Sequence, residues 1–227
     1  MQSEDRNFPV IKALKGDIYL AANRPTDAVA AYTEANNAAP SSLLVTRLAG
    51  ALLRAGQSND ASTLLLNWLG DHPDDMVATE QLAEIKIAAG NWDDAAKYLE
   101  TLLKQKPHDP VALNNLAWVY QQQGKDAAAQ TLARQAYVLA PSPQTADTLG
   151  WILTTSGDPK NGATLLRQAT GDAGSDPRIL YHFAVALNDT GDKDAAKKAL
   201  ETVVANQAQF KEKDLAQKLL DNLSKGT

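Results

Sequence analysis

The chain has 227 residues, of which 44% are hydrophobic and 22% charged, and this ordinary globular composition excludes an intrinsically disordered protein. The net charge of −5 leaves no basic surplus to neutralise phosphates, and the absence of cysteine excludes disulfides and cysteine-based zinc sites. No stretch approaches the roughly 20 apolar residues of a membrane span. We therefore expect no nucleic-acid partner, and membrane contact only through an anchor or partner outside this chain.

The predicted elements follow one period from the start of the chain. After a polar tail at 1–8, a helix-ending residue recurs with a period of about 34 residues. The positions are Asn23, Gly56, Gly90, Gly124, Gly157 and Gly191. Glycine and asparagine most readily adopt the left-handed conformation that follows a helix. The period therefore predicts a tight turn between two helices in each of six units.

Small residues and prolines recur with the same period. Two columns of small residues, at which the helices of a unit approach closely, are Gly16, Ala49, Ala83, Ala117, Gly150, Ala184 and Ala28, Ala61, Ala95, Ala129, Gly162, Ala196. Proline cannot continue a helix, so it closes the second helix of a unit at Pro40, Pro73, Pro107 and Pro141. Gly162 replaces the usual alanine, which costs a helix interior about 1 kcal/mol. We expect the fifth unit to be the loosest.

These columns predict an all-α fold built from repeated helix pairs. The predicted units span 9–41, 42–75, 76–109, 110–142, 143–176 and 177–210. The segment 211–227 carries Leu215, Leu219, Leu220 and Leu223 among charged residues, which is typical of an amphipathic helix. We expect it to cap the last unit, because a terminal repeat otherwise exposes its apolar face.

The columns resemble the tetratricopeptide repeat, a helical hairpin with a period of about 34 residues. The fourth unit carries the family pattern at Leu116, Ala117, Tyr120, Gly124 and Pro141. The resemblance covers nearly the whole chain. It implies a right-handed α-solenoid of about six repeats plus a C-terminal capping helix. It also implies a non-catalytic scaffold that binds protein or peptide partners in a concave groove lined by the first helices.

Carrying the family's inner positions over residue by residue places Trp118 and Trp151 in this groove, at the same position of adjacent repeats. Hydrogen-bonding groups are expected around them at Asn114, Asn115, Gln121, Gln122, Asp147, Tyr181 and Asn188. Indole platforms with such neighbours suit an extended peptide or a sugar chain. The alternative is that both tryptophans fill gaps between repeats, because tryptophan is often largely buried.

The sequence shows no motif for catalysis, a metal or a cofactor, so we predict no catalytic residue, no metal site and no cofactor. There is no phosphate-binding loop and no nucleophile elbow. His72, His108 and His182 lack a second ligand at metal-binding spacing. We interpret all three as solvated loop or helix residues.

Three runs, 113–124, 147–153 and 179–187, resemble a narrower bacterial group. They look like the last repeats of long tetratricopeptide lipoproteins linked to exopolysaccharide production and the PEP-CTERM sorting system. This resemblance implies a C-terminal piece of a longer exported protein, located in the periplasm or at the outer membrane. Two alternatives stay open. One is direct polysaccharide binding on the groove tryptophans, and the other is a cytoplasmic assembly factor.

Overall fold

The protein is all-helical over the residues that the computed structural model describes, which are 4–173, 176–206 and 210–225. These residues form thirteen α-helices: α1 (Glu4–Ala21), α2 (Pro25–Ala38), α3 (Ser42–Arg54), α4 (Ser58–Asp71), α5 (Met76–Ala88), α6 (Trp92–Gln105), α7 (Pro110–Gln122), α8 (Asp126–Leu139), α9 (Pro143–Thr155), α10 (Pro159–Ala173), α11 (Pro177–Asp189), α12 (Lys193–Ala205) and α13 (Lys213–Lys225). The first twelve pack in pairs as six helical hairpins, and α13 packs against α12. The predicted all-α class is confirmed.

The first helix begins earlier than the sequence indicates. Residues 4–8, which we placed in a tail, belong to α1, and Pro9 lies inside that helix. Parts of three other predicted segments, at 174–175, 207–209 and 226–227, lie outside the described residues, as do residues 1–3 of the tail.

The predicted left-handed turns are confirmed. Asn23 and the glycines of the same column have φ between 55° and 92°. Several helix starts are fixed by side chains that accept hydrogen bonds from the first turn, because those backbone N–H groups have no partner within the helix. Asp75, Asp109 and Asp176 each accept from two backbone N–H groups in this way. Local chemistry therefore sets where these three helices begin and where the first helix of each hairpin ends.

The small-residue columns lie in the core. Ala28, Ala61, Ala95, Ala129 and Ala196 are fully buried. In the fifth hairpin two glycines face each other, and a Cβ added to Gly150 would lie 2.7 Å from Leu166 Cγ and 3.1 Å from the Gly162 carbonyl oxygen. The fifth unit, which we expected to be the loosest, is thus closely packed at this point, because the glycines let α9 and α10 approach.

The chain divides into two compact units, residues 1–105 and 106–227. Within each unit the first helices of successive hairpins also touch: α3 packs against α5, and α9 packs against both α7 and α11. We call the side formed by α3 and α5 the first-helix face of unit 1, and the side formed by α7, α9 and α11 the first-helix face of unit 2. Among the described residues, no helix has the length and apolar character needed to cross a membrane.

Candidate functional site

The two predicted groove tryptophans lie on packed neighbouring helices of unit 2. Trp118 is on α7, and Trp151, one repeat later, is on α9. Both side chains are partly buried, so neither is a fully enclosed core residue nor a freely solvated one. Each indole therefore takes part in packing and still presents surface at the first-helix face.

Trp151 is held by aromatic contacts with α11. Its ring stacks on the His182 ring with centroids 4.2 Å apart and an interplanar angle of 19°. The Tyr181 ring lies 6.3 Å away at 42°. Such offset and tilted pairs add about 0.5–1.5 kcal/mol beyond the area that they bury. The stack with His182 fixes the orientation of the indole, and it occupies one face of the ring.

The His182 imidazole, which stacks on Trp151, is hydrogen-bonded to a buried carboxylate. His182 Nδ1 lies 2.7 Å from Asp147 Oδ1, and the two residues are only 2% and 3% exposed. On the other side of this carboxylate, Arg178 Nη2 lies 3.7 Å from Asp147 Oδ2. The prediction that His182 is solvated was wrong, because α9 and α11 pack closely enough to enclose a polar pair. We call Asp147, Trp151, Arg178, Tyr181 and His182 the Trp151 cluster.

Asp147 and Tyr181 were expected to offer hydrogen bonds to a ligand in the groove, and both are buried instead. Tyr181 is 8% exposed, and its burial, followed by the charge of Glu212, raises the pKa of its phenol. The Asp147 carboxylate is already bound by His182 and Arg178. These two side chains therefore form the buried part of the cluster. Arg178, whose side chain is 44% exposed, is the polar group of the cluster at the surface.

Two of the predicted amide side chains, those of Gln121 and Asn188, donate hydrogen bonds to neighbouring side chains. Gln121 links neighbouring repeats, because its Nε2 donates to Thr155 Oγ1 at 2.8 Å, and Asn188 donates to its neighbour Asp189 at 3.1 Å. Asn114 and Asn115 are partly buried and Gln122 is exposed. The Oδ1 of Asn114 and the Oε1 of Gln121 are buried without a hydrogen-bond partner among the described residues. The face thus holds two acceptors that no other described residue satisfies.

The Asp147–His182 pair has the composition of an acid–base dyad, but its setting is structural. General acid–base catalysis requires the acid or base to reach a proton on the substrate. Both members are enclosed, and Trp151 covers the imidazole. The pair therefore joins α9 to α11. The described residues contain no group of three or more His, Cys, Asp or Glu side chains placed to hold a metal ion.

The other two histidines are exposed, as expected. His72 stacks on Trp68 with ring centroids 3.7 Å apart, and Trp68 donates to Asp75 at 2.7 Å. His108 borders an apolar depression of about 440 Å³ on α8, where Val138 is 73% exposed. These groups lie outside the Trp151 cluster.

Sequence reasoning missed the Asp147–His182 pair and the ion pair of Arg178 with Asp147. His182 follows Asp147 at an offset of 35 in the sequence, which is one repeat plus one position. In a stack of first helices, this offset places side chains between neighbouring helices. An acidic residue and a histidine at a distance of one repeat plus one are therefore the signal that could have revealed the pair.

Two family models of the tetratricopeptide repeat match the sequence, one at residues 86–140 and the other at 177–210. The observed hairpins have the helix–turn–helix form of these repeats. The chain contains tetratricopeptide repeats. A comparison with curated proteins gives no match.

Solved structures with tetratricopeptide folds are similar to this chain. A tetratricopeptide repeat protein from Parabacteroides merdae ATCC 43184 superposes with a TM-score of 0.77 at 14% identity, over 96% of this chain and 99% of that one. A chain of the APC/C hetero-tetramer Cut9–Hcn1 gives 0.80 at 17% identity, over 96% of this chain and 43% of its own length. MamA from Desulfovibrio magneticus RS-1 gives 0.66 at 17% identity, over 75% and 97%. At these identities the likeness shows the shared fold alone.

Proposed function

We propose that this tetratricopeptide repeat protein binds a partner protein through the first-helix face of unit 2, within a bacterial assembly for exopolysaccharide production, secretion or exported-protein sorting. Tetratricopeptide repeats are generally non-catalytic scaffolds for protein–protein interaction. The observation that carries the proposal is the position of Trp118 and Trp151, each partly exposed at the same position of packed first helices. Tryptophan is enriched among the residues that dominate binding energy.

The structure of the Trp151 cluster supports a binding role. The stack with His182 and the buried carboxylate beneath it hold the indole in one orientation. A side chain that is already ordered loses little conformational entropy on binding, which raises affinity. The exposed guanidinium of Arg178, within the cluster, adds a donor for a carbonyl or carboxylate of the partner.

The proposed context rests on the three runs at 113–124, 147–153 and 179–187, which resemble exopolysaccharide-associated repeat lipoproteins. Two of these runs contain the groove tryptophans, and the third contains Tyr181 and His182. The corresponding location is the periplasm or the outer membrane of a bacterium. The alternative location is the cytoplasm, where the same scaffold would act as an assembly factor.

Direct polysaccharide binding is the second candidate, and the partly exposed indoles favour it because sugars stack on aromatic faces. A sugar chain also needs many hydrogen-bonding groups around the stacked ring. The burial of Asp147 and Tyr181 removes two of the groups that the sequence offered for this purpose. A partner protein needs fewer of them, so protein binding ranks first.

Calorimetric titration tests the choice of ligand. The full chain is titrated with a pool of exported-protein peptides and, separately, with acidic and neutral exopolysaccharide oligomers. We expect peptide binding that weakens about 30-fold in the Trp118→Ala/Trp151→Ala variant, because a central aromatic contact contributes about 2 kcal/mol. The matched control is Trp92→Ala, which removes an indole from α6 of unit 1 and leaves the face of unit 2 intact.

Because Trp151 packs on His182, circular dichroism is used to check that the double variant stays folded. Trp118→Ala alone is the second variant and should weaken peptide binding by itself. Saturable binding of an oligosaccharide that both tryptophan variants abolish, without any peptide binding, would replace the first candidate by the second. Peptide binding that is unchanged in both tryptophan variants would exclude this face as the site.

A further inference from the structure

Each first helix of unit 1 carries an exposed apolar residue at the same repeat position. Leu43 on α3 and Val77 on α5 are 59% and 57% exposed, and Val10, which holds the same repeat position on α1, is 59% exposed. Their spacing matches the repeat period. Since α3 packs against α5, Leu43 and Val77 lie on the first-helix face of unit 1.

A cavity of about 280 Å³ lies on this face, lined by Thr46, Val77, Glu80, Gln81 and Glu84. Gln81 crosses from α5 to α3, where its Nε2 donates to the Thr46 carbonyl at 3.1 Å. Its Oε1 is buried and has no hydrogen-bond partner among the described residues. Val77 thus gives the cavity one apolar side chain beside four polar ones, and the buried Gln81 oxygen behind them is not satisfied by any described residue.

Gly50 widens the space beside the cavity. A Cβ added there would meet only Gln81 Nε2, at the ordinary contact distance of 3.7 Å. One repeat later, the same position is Glu84. The missing side chain on α3 leaves room for a side chain from a partner beside the Glu84 carboxylate.

The two carboxylates at this site are not neutralised within the described part of unit 1. Glu80 and Glu84 are one helical turn apart, and both have solvent-exposed side chains. Neighbouring atoms still cover part of Glu84, and this desolvation, followed by the charge of Glu80, raises the pKa of its carboxyl group. Two of the cations on the same helices are bound elsewhere: Arg47 pairs with Asp17 at 3.1 Å and Lys86 with Asp94 at 3.7 Å. Like charges at this spacing destabilise a helix, and a cation supplied from outside would relieve the repulsion.

We propose that the first-helix face of unit 1 binds a partner-protein segment that combines lysine or arginine with small apolar side chains. The basic groups pair with Glu80 and Glu84, and the apolar groups cover Leu43 and Val77. The negative charge disfavours nucleic acid and anionic lipid, and a second copy of this chain would bring the same carboxylates. The inference rests on the proposed scaffold function but uses a different face, so the two can fail separately.

Selection of random peptides displayed on phage tests this chemistry without assuming a sequence. The full chain is the target, and the Glu80→Gln/Glu84→Gln variant is the counter-selecting target. We expect the enriched peptides to carry lysine or arginine together with apolar residues. Enrichment of acidic or uncharged peptides, or no enrichment over the counter-selected variant, would overturn the inference.

An enriched peptide is then synthesised and titrated calorimetrically against variants of the full chain. Loss of two surface charge pairs predicts about tenfold weaker binding to Glu80→Gln/Glu84→Gln, and high salt should weaken binding to the wild type. Gly50→Gln should also weaken binding by filling the space beside Glu84. Glutamine is a better helix former than glycine, so this variant should stay folded.

The control variant is Asp60→Asn/Glu201→Gln, which removes two carboxylate charges from exposed positions on second helices, away from the proposed site. It should leave the affinity unchanged, and an equal loss in this control would refute a specific site. The Trp118→Ala/Trp151→Ala variant should bind the peptide normally. If that variant alone loses the peptide, the ligand lies on unit 2, so this inference fails while the proposed scaffold function stands.

Discussion

Replacing Gly162 with alanine should destabilise the protein, although the usual rule predicts the opposite. Glycine inside a helix is ordinarily about 1 kcal/mol less favourable than alanine. Gly162 lies inside α10, facing α9. An added Cβ would overlap Thr154 Oγ1 and would lie 2.7 Å from the Gly150 carbonyl oxygen. Relief of the second contact requires backbone movement, because a carbonyl oxygen cannot rotate away.

The magnitude follows from the groups that would move. Thr154 is 5% exposed, and its hydroxyl donates to the Gly150 carbonyl at 2.8 Å. Breaking that hydrogen bond costs about 1 kcal/mol, and overpacking a tight core costs about 1–3 kcal/mol. Against these, the helix gains about 1 kcal/mol from alanine. We expect Gly162→Ala to lower the free energy of unfolding by about 1–3 kcal/mol.

Urea unfolding followed by circular dichroism measures the effect, and the same helix supplies a matched control. Gly171 also lies in α10, and a Cβ there would meet nothing within 4 Å. Gly171→Ala should therefore stabilise the protein by a few tenths of a kcal/mol up to about 1 kcal/mol. If both variants stabilise to the same extent, the close approach of α9 and α10 does not decide the outcome and the reasoning is wrong.

Two further predictions concern buried polar groups. Asp147→Ala should lower the free energy of urea unfolding by about 2–3 kcal/mol because it leaves His182 buried without its partner, whereas removing the exposed arginine by Arg178→Ala should cost under about 1 kcal/mol. Burial, followed by the hydrogen bond to Asp17, raises the pKa of Tyr32 to about 12. The folded state then holds this proton more tightly than the unfolded state, so stability should fall as pH rises from about 10 through about 12. Tyr32→Phe should abolish that fall in unfolding curves measured across this range.

The turn and the small-residue columns could be predicted because each depends on local backbone or packing requirements. A left-handed residue must follow the first helix of every hairpin, and only a few residue types adopt that conformation readily. Asn23 and Gly56 could therefore be assigned before any contact was known. The alanines were predictable for a similar reason, because a hairpin of fixed geometry needs a small side chain at the same point in every repeat.

The depth of individual residues within the first-helix face could not be predicted. The repeat pattern assigned Asp147 and Tyr181 to that face, but their burial depends on how closely α9 and α11 pack. His182 was interpreted as solvated because the periodicity of one helix cannot reveal a partner on the next. Gly162 was read as a cost to α10 because the need for a small side chain lies in α9. In each case the deciding contact joins different helices.

One repeat position shows how the two units differ in chemistry on a common fold. It holds Asp17, Gly50 and Glu84 in unit 1, and Trp118, Trp151 and Val185 in unit 2. In unit 1 this position provides space and negative charge, and in unit 2 it provides indole surface held from beneath by a buried histidine. The residues that form the hairpins, such as the buried alanines and the left-handed glycines, are nearly constant along the chain. Since the fold does not require these differences on the first helices, we infer that they reflect what each face binds, and that a change at one face should leave binding at the other unaffected.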